Sequence, residues 1–381
     1  MSEPPNALQT DRQIGLLGDV HGDLSALIAS IQTFAARNVR TIVVLGDFGY
    51  PWPHEDWNRA LNKISRRLAV RNMTLLFLDG NHDWLAKIEE RFAVDAHGLR
   101  WLRRNIVYLT RGFRTTLRPY DSGWPSHAVR LGKVLAVIGG ANSIDRDYRT
   151  VNTDWWPEES LTEEDLVALG SDHVDVLLGH DAPLNVPDLD RALASENSDW
   201  PPEAVAYAEQ GRRMFHRGFV AVRPELYVGA HYHRHVDQVV TFGDDAESFR
   251  CRVVVLDQNE ANTVSLAVLD TATLQLEFFT RGEAKVERLT MRDQGRWNVR
   301  IKDAMLAIDL DARTVERRPM AGARKSPTID RPLPLLNIRM LHTATIAILT
   351  LDPVDDHTPY WDYFSPSLVE KIERMDDDAQ R

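Results

Sequence analysis

Residues 14–23 read Ile-Gly-Leu-Leu-Gly-Asp-Val-His-Gly-Asp: a short apolar run that stops at Gly18 and delivers Asp19 and His21. The same grammar recurs along the chain. Residues 41–45 run into Gly46-Asp47, residues 75–78 into Gly80-Asn81-His82-Asp83, and residues 174–178 into Gly179-His180-Asp181. Residues 226–228 run into Gly229-Ala230-His231-Tyr232-His233. Each run is strand-sized, rich in Val, Ile or Leu, and followed by glycine. Potential metal donors therefore gather at the carboxyl ends of strands, where open α/β sheets bind their ligands.

Amphipathic stretches at 23–37, 55–69, 83–92, 162–169 and 202–216 predict helices between these strands. Thr162 with Asp165 three residues on is a helix-start signature, and Pro202 suits a first helical turn. After Arg223 come β-like runs at 236–241, 252–256, 264–269 and 274–279, read as a late meander. The pattern predicts an α/β fold with two sheets. The organisation expected is a catalytic domain over 12–280 and a C-terminal extension over 281–381 with no assigned role. Within the extension, the basic stretch around Arg317, Arg318, Arg324 and Lys325 reads as a solvated linker.

Composition narrows the classes further. With 381 residues, 43% apolar and 27% charged, the chain is neither disordered, collagenous nor coiled coil as a whole. Its 45 Lys plus Arg against 56 Asp plus Glu give a net charge of −11, which argues against nucleic acid and anionic membranes as partners. Cys251 is the only cysteine, so no intrachain disulfide or Cys-rich zinc site forms. No signal-peptide pattern or bilayer-length apolar stretch is present, so a soluble cytoplasmic protein is expected.

Aspartate, the asparagine carbonyl and neutral histidine are donors suited to Mn, Fe or Zn. Asp19/His21 and His231/His233 are each spaced i, i+2, which places both side chains on one face of an extended segment. One such block alone is usually a turn or a helix cap. Five in order, each after an apolar run, point to a metal site.

This set resembles the calcineurin-like metallophosphoesterases, whose five blocks appear here in their usual order over roughly residues 12–280. The resemblance implies a four-layer α/β/β/α sandwich with two divalent metals, Mn first and Fe or Zn next, at the ends of the central strands. It implies that Asp19, His21, Asp47 and His233 hold one ion, and that Asp47, Asn81, His180 and His231 hold the other. Phosphate mono- or diesters are then cleaved by metal-bound hydroxide, with His82 as the acid toward the leaving oxygen or as a transition-state stabiliser. The family's protein serine/threonine phosphatases continue the second block as Gly-Asp-x-x-Asp-Arg-Gly. Here the chain reads Gly46-Asp47-Phe48-Gly49-Tyr50-Pro51-Trp52, without that Asp-Arg pair.

A substitute lies in Gly139-Gly140-Ala141-Asn142-Ser143-Ile144-Asp145-Arg146, after the apolar run at 134–138. Arg146 or Arg149 is a candidate to grip a phosphate and Asp145 to orient a histidine, the alternative being a loop whose Arg and Asp pair with each other. Tyr50, Trp52, Trp155 and Trp156 are read as core cover, and Cys251 as a small buried hydrophobe. His235 is read as lying too far along its strand to be a ligand, and His54, His97, His127, His173 and His216 as ordinary residues. Two functional classes remain. One is a metal-dependent phosphoesterase, with protein phosphatase as an alternative within it. The other is a binding module that uses the same fold without catalysis. That every motif position is filled favours the enzyme.

Overall fold

The computed structural model describes residues 7–50, 52, 56–117, 132–244, 248–281, 289–291, 293–320, 322–323, 330–341, 346–352 and 361–375. His54, His127, Arg324 and Lys325 lie outside them. The chain divides into two compact units, Met1–Ala284 and Lys285–Arg381.

The first unit carries strands β1 (Gln13–Leu17), β2 (Thr41–Leu45), β3 (Thr74–Leu78), β4 (Leu99–Arg103), β5 (Ile106–Leu109), β6 (Arg114–Leu117) and β7 (Lys133–Ile138). They continue as β8 (Val176–Gly179), β9 (Leu226–Gly229), β10 (Val236–Phe242), β11 (Phe249–Val255), β12 (Leu266–Asp270) and β13 (Leu276–Phe279). Two sheets result, ordered β13-β12-β1-β2-β3-β5-β4 and β10-β11-β9-β8-β7-β6. Strands β1, β2, β3 and β5 are parallel in the first sheet, and β7, β8, β9 and β11 in the second. Both sheets therefore present several carboxyl ends at one edge.

The layers follow from burial on both faces of each sheet. All five residues of β2, Thr-Ile-Val-Val-Leu, are buried, as a central parallel strand requires. Ile14, Leu16, Val43 and Leu45 of the first sheet pack against Leu135, Val137, Leu178 and Val228 of the second. The opposite face of the first sheet is covered by helices. The helices of the unit are α1 (Ala7–Thr10), α2 (Leu24–Ala36), α3 (Trp57–Ala69), α4 (Leu85–Arg91), α5 (Glu163–Leu169), α6 (Pro187–Glu196) and α7 (Pro202–Val222). Leu27, Ile31 and Phe34 of α2 and Leu61, Ile64 and Leu68 of α3 bury against Val44, Phe77 and Tyr108. Leu189 of α6 and Phe215 and Phe219 of α7 cover Leu177, Tyr227 and Val253 on the second sheet. The order is helix, sheet, sheet, helix: the four-layer α/β/β/α sandwich.

The predicted runs reappear within a few residues. Asp23 caps α2 by accepting from the backbone of Ser25 and Ala26 at 2.9 Å. Thr162 and Asp165 form the reciprocal capping box of α5. The late β-region differs from a meander. Strand β11 inserts beside β9, parallel to it, and leaves β10 at the edge, while β12 crosses to pair with β1. The pattern of a strand marks which faces are buried but names no partner, so periodicity finds these strands without their order.

The second unit is a closed barrel of β14 (Arg296–Ile301), β15 (Ala304–Asp309), β16 (Thr314–Pro319), β17 (Leu333–Met340), β18 (Ile346–Leu351) and β19 (Trp361–Arg374). Pairing of β14 with β19 closes it and removes the open edges. Alternate residues, among them Val299, Leu306, Ile308, Val315 and Leu349, fill its interior. The linker reading is therefore corrected: Arg317 and Arg318 belong to β16, and Arg317 is buried and ion-paired with Asp303 and Asp330. Among the described residues no helix is long and apolar enough to cross a membrane.

A buried ion pair joins elements of the first unit at the edge that matters. Asp79, fully buried after β3, accepts from Arg111 at 2.7 and 2.9 Å and from the Tyr108 hydroxyl at 2.8 Å. Arg111 also donates to Asp165 and to the Ser160 and Glu158 carbonyls. The backbone of Asp79 accepts from Gly140, which ties the loop after β3 to the loop after β7. Removing one partner of such a pair strands the other charge in a dry site. Asp79→Ala is expected to destabilise the first unit by about 3–5 kcal/mol. Its calorimetric transition would move to markedly lower temperature, and an unshifted transition would contradict this role.

Candidate metal centre

Loops after parallel strands of the two sheets meet at this edge, and five of them carry the motif residues. Asp19 and His21 follow β1, Asp47 follows β2, and Asn81 and His82 follow β3. His180 follows β8, and His231 and His233 follow β9. The sequence reading expected extended segments for the i, i+2 pairs. Instead His21, Asp47, His231 and His233 have φ of 48°, 48°, 73° and 47°, the left-handed region that non-glycine residues rarely occupy. A left-handed kink, rather than strand alternation, aims these side chains inward. Such conformations cost on the order of 1–3 kcal/mol each and persist where the surroundings fix them.

Two sets of close contacts both include Asp47, and Asp19 also reaches both, with its Oδ1 3.8 Å from His180 Nδ1. In one, His21 Nε2 lies 3.0 Å from His233 Nε2, His233 Nε2 3.2 Å from Asp19 Oδ2, and His21 Nδ1 3.8 Å from Asp47 Oδ2. In the other, His180 Nε2 lies 3.0 Å from Asn81 Oδ1 and 3.4 Å from Asp47 Oδ1. The two oxygens of Asp47 thus face different groups. His231 sits beside His180 with ring centroids 4.9 Å apart, and its backbone N–H donates to Asp19 at 3.2 Å.

The bonding around His180 tests whether these residues suit a cation. Its Nδ1 donates to the Leu45 carbonyl at 2.8 Å, so in the neutral ring Nε2 carries a lone pair. Asn81 donates its amide nitrogen to Ser143 Oγ at 3.0 Å, which turns its carbonyl oxygen toward the same point. A ring lone pair, a carbonyl oxygen and a carboxylate oxygen then converge with no donor among them. A divalent ion satisfies all three. Without one, the ring takes a second proton: burial opposes this, but the charge of Asp47, its hydrogen bond and Asp19 raise the His180 pKa to about 10. Burial likewise works against the Asp47 carboxylate, yet the charges of His180, His82 and His21 hold it well below the usual range. Burial, with the charge of His180 adding to it and Asp47 opposing, pushes His231 down to about 3.

The surrounding contacts leave little freedom. Ser143 donates to the buried Glu159 through both backbone (2.9 Å) and hydroxyl (2.5 Å), and Tyr207 donates to the same carboxylate at 2.9 Å. Asp83 accepts from Gly80 at 2.9 Å, Gly49 at 2.8 Å and Phe48 at 3.2 Å, which locks the Asn81 loop onto the Asp47 loop. Burial and the neighbouring Asp47 raise the Asp83 carboxyl to about 7. Two glycines are required by space. A Cβ on Gly80 would lie 2.2 Å from Asp47 Oδ1, and one on Gly46 would lie 2.2 Å from His180 Nδ1.

His82 stands at the rim of a cleft of about 900 Å³ that also exposes His21, Asp47, Asn81, His231 and His233. Its backbone N–H donates to Asp47 at 2.8 Å. The Arg149 guanidinium lies on its ring, with Nη1 3.0 Å from Nδ1 and Nη2 2.9 Å from Nε2. Burial lowers the His82 pKa to about 4, with the charges of Arg149 and His21 adding to the shift and Asp47 opposing it. Asp145 holds Arg149 at 2.6 Å rather than touching a histidine. Arg146 lies elsewhere, stacked 3.9 Å over the Tyr207 ring and bonded to Asp147.

Tyr50 and Trp156 are buried, in keeping with core cover, and the Trp52 indole donates to the His82 carbonyl. His235 bonds the Val255 carbonyl, outside the donor groups, and Cys251 is buried. The sequence reading missed Glu159, Tyr207, Asp79 and Arg111, whose partners are distant in the chain and leave no local pattern. Asp83 was visible beside His82, but only as a possible helix cap. Losing a hydrogen bond that orients a ligand typically costs ten- to a hundredfold in metal affinity. Ser143→Ala is therefore expected to weaken Mn²⁺ binding by about that factor in calorimetric titration. Unchanged affinity would show that the Asn81 amide is oriented by something else.

The sequence matches the calcineurin-like phosphoesterase family over residues 12–235. No curated protein matches it. Among solved structures, a protein of Thermus thermophilus is 17% identical with a TM-score of 0.41, covering 71% of this chain and 99% of its own. An archaeal phosphodiesterase is 13% identical with a TM-score of 0.28, covering 70% of this chain and 99% of its own. The Plasmodium protein GAP50, described as the anchor in the inner membrane complex, is 13% identical with a TM-score of 0.39, covering 72% and 86%. With the family match spanning more than half of its length, the chain belongs to the calcineurin-like phosphoesterases.

Proposed function

We propose that this chain is a dinuclear-metal phosphoesterase that hydrolyses a phosphate mono- or diester, its catalytic domain covering residues 12–280. The observation that supports the reading is the convergence of six donors around Asp47, with His82 lining the same cleft. Asp19, His21, Asp47 and His233 would hold one ion, and Asp47, Asn81, His180 and His231 the other. Two divalent ions in such a site supply Lewis acidity and bring the pKa of bound water from about 15.7 toward 7. Manganese is the ion we assign first, because the mixed carboxylate, amide and imidazole set suits it, with Fe or Zn next. The single thiol fits a reducing cytosol, where we place the protein.

The protein's own groups do the rest. Asp47 spans both donor groups and fixes their separation. Asp19 and Asp47 contribute −2 to the donor set, so two divalent ions leave the site positive within a chain of net charge −11. Arg149 lines the cleft against His82 and Asp145, and its planar guanidinium is the group we assign to phosphoryl oxygens, a geometry that lysine lacks. His82, pinned by Asp47 through its backbone and by Arg149 through its ring, lines the cleft where we assign it a stabilising hydrogen bond to the leaving oxygen. Arg146 has no part in this arrangement, because Asp147 and Tyr207 hold it away from the cleft.

Stripping the protein with chelator, reloading with Mn²⁺ and offering p-nitrophenyl phosphate and bis-p-nitrophenyl phosphate tests the reading. Turnover should require the metal, and His82→Ala should lower kcat by about 10²–10⁴-fold. The preferred ester separates monoesterase from diesterase. No metal-dependent turnover of either ester would overturn the assignment.

A further inference from the structure

The cleft is larger than its donor set needs. Small-molecule sites commonly enclose roughly 300–1,000 Å³, and this one, about 900 Å³, lies near the top of that range. A phosphoryl group at His82 and Arg149 fills a small part of it. Part of the remaining wall is apolar: Ile144, Leu184, Leu193 and Trp200 line it, each half-buried, beside polar groups such as Asn185, Asp190 and Glu196. Leu193 lies on α6, and Trp200 lies between α6 and α7.

One short turn joins this wall to the donor site. Within residues 146–149, Arg149 covers His82, while the adjacent Tyr148 packs edge-on against Trp200 with centroids 6.0 Å apart. Tyr148 is 72% exposed, so the pair offers an aromatic surface to solvent.

The charges in the cleft select against a polymer. Arg212 pairs with Asp190 at 2.7 Å, Arg213 with Glu209 at 2.5 Å, and Arg234 with Glu196. Every arginine lining the cleft is engaged with a carboxylate of the same cleft, Arg149 with Asp145 at 2.6 Å, and Arg149 alone is also set against His82. A binder of extended polyanions needs a track of cations, each neutralising a phosphate. This wall has none among the described residues.

We infer that the substrate is a small organic ester with one phosphoryl group and a flat apolar substituent, which lies against Trp200, Leu193 and Leu184. The inference rests on the phosphoesterase reading and adds the substrate class. Aromatic faces stack on flat groups of varied identity, and burial of a second ring adds hydrophobic area without new hydrogen bonds.

The test titrates Mn²⁺-loaded full-length protein with 2-naphthylphosphonate and with methylphosphonate, which share the anion and differ in the substituent. The naphthyl compound should bind at least about tenfold more tightly, consistent with an aromatic ring leaving water. Trp200→Ala and, from a different element, Leu193→Gln should each shrink that ratio at least about threefold, with circular dichroism confirming folded protein. Oligothymidylate at equal phosphate concentration should not displace the naphthyl compound. Equal affinity for the two phosphonates, a ratio unchanged in both variants, or displacement by the oligonucleotide would overturn this inference and leave the phosphoesterase reading standing. Binding of neither phosphonate to metal-loaded protein would overturn both.

Discussion

Lone pairs that face one another cannot be packed into a protein interior without a positive charge between them. That constraint organises the edge of the sandwich where β1, β2, β3, β8 and β9 end. His180 is held by the Leu45 carbonyl so that its second nitrogen meets the oxygens of Asn81 and Asp47. His21 and His233 meet nitrogen to nitrogen at 3.0 Å. At His180 the contacts are repulsive while its ring is neutral, and attractive once a cation or a second ring proton lies between them. The fold sustains them because each donor is gripped from behind by another part of the chain.

Those grips explain several features that otherwise look separate. The left-handed conformations at His21, Asp47, His231 and His233 are local costs, met by the packing of two sheets with helices on both outer faces. The glycines at 46 and 80 leave room for His180 and Asp47 to come within contact of the neighbouring loop. Ser143 and Glu159 orient Asn81, Asp83 ties two loops together, and the Asp79–Arg111 pair fixes the base of the third loop against the fourth. Tyr232, between the two histidines of the last block, is anchored by its hydroxyl to the buried Asp181. Conformational strain at the site and rigidity around it are two aspects of one arrangement.

The sequence carries much of this. Buried parallel strands advertise themselves as Val/Ile/Leu-rich runs, and the Gly-plus-donor blocks mark their carboxyl ends, so the strands that carry the blocks were readable together with the donor residues, while β4, β5 and β6, which carry none, were not. Spacing alone gave the wrong local picture for His231 and His233, because i, i+2 implies a shared face only in extended backbone. The buried network of Glu159, Tyr207, Asp79 and Arg111 escaped, since each contact spans tens of residues and none has a local signature. Arg146 and Arg149 were indistinguishable in the sequence. They differ in the structure because the short turn at 146–148 points one toward Tyr207 and the other toward His82. The barrel of the second unit was obscured by short strands whose outward residues are charged, so that β16 with its Glu316, Arg317 and Arg318 read as linker.

Asp47, with one oxygen toward His21 and the other toward His180, is the residue that would join two ions into one centre. Counting Mn²⁺ bound to reconstituted full-length protein, with electron paramagnetic resonance at low temperature to detect magnetic coupling, tests this role most directly. The account predicts two ions per chain with the spectrum of a coupled pair, and loss of that coupling in Asp47→Ala. A single ion, or two ions that behave independently in the native protein, would contradict it.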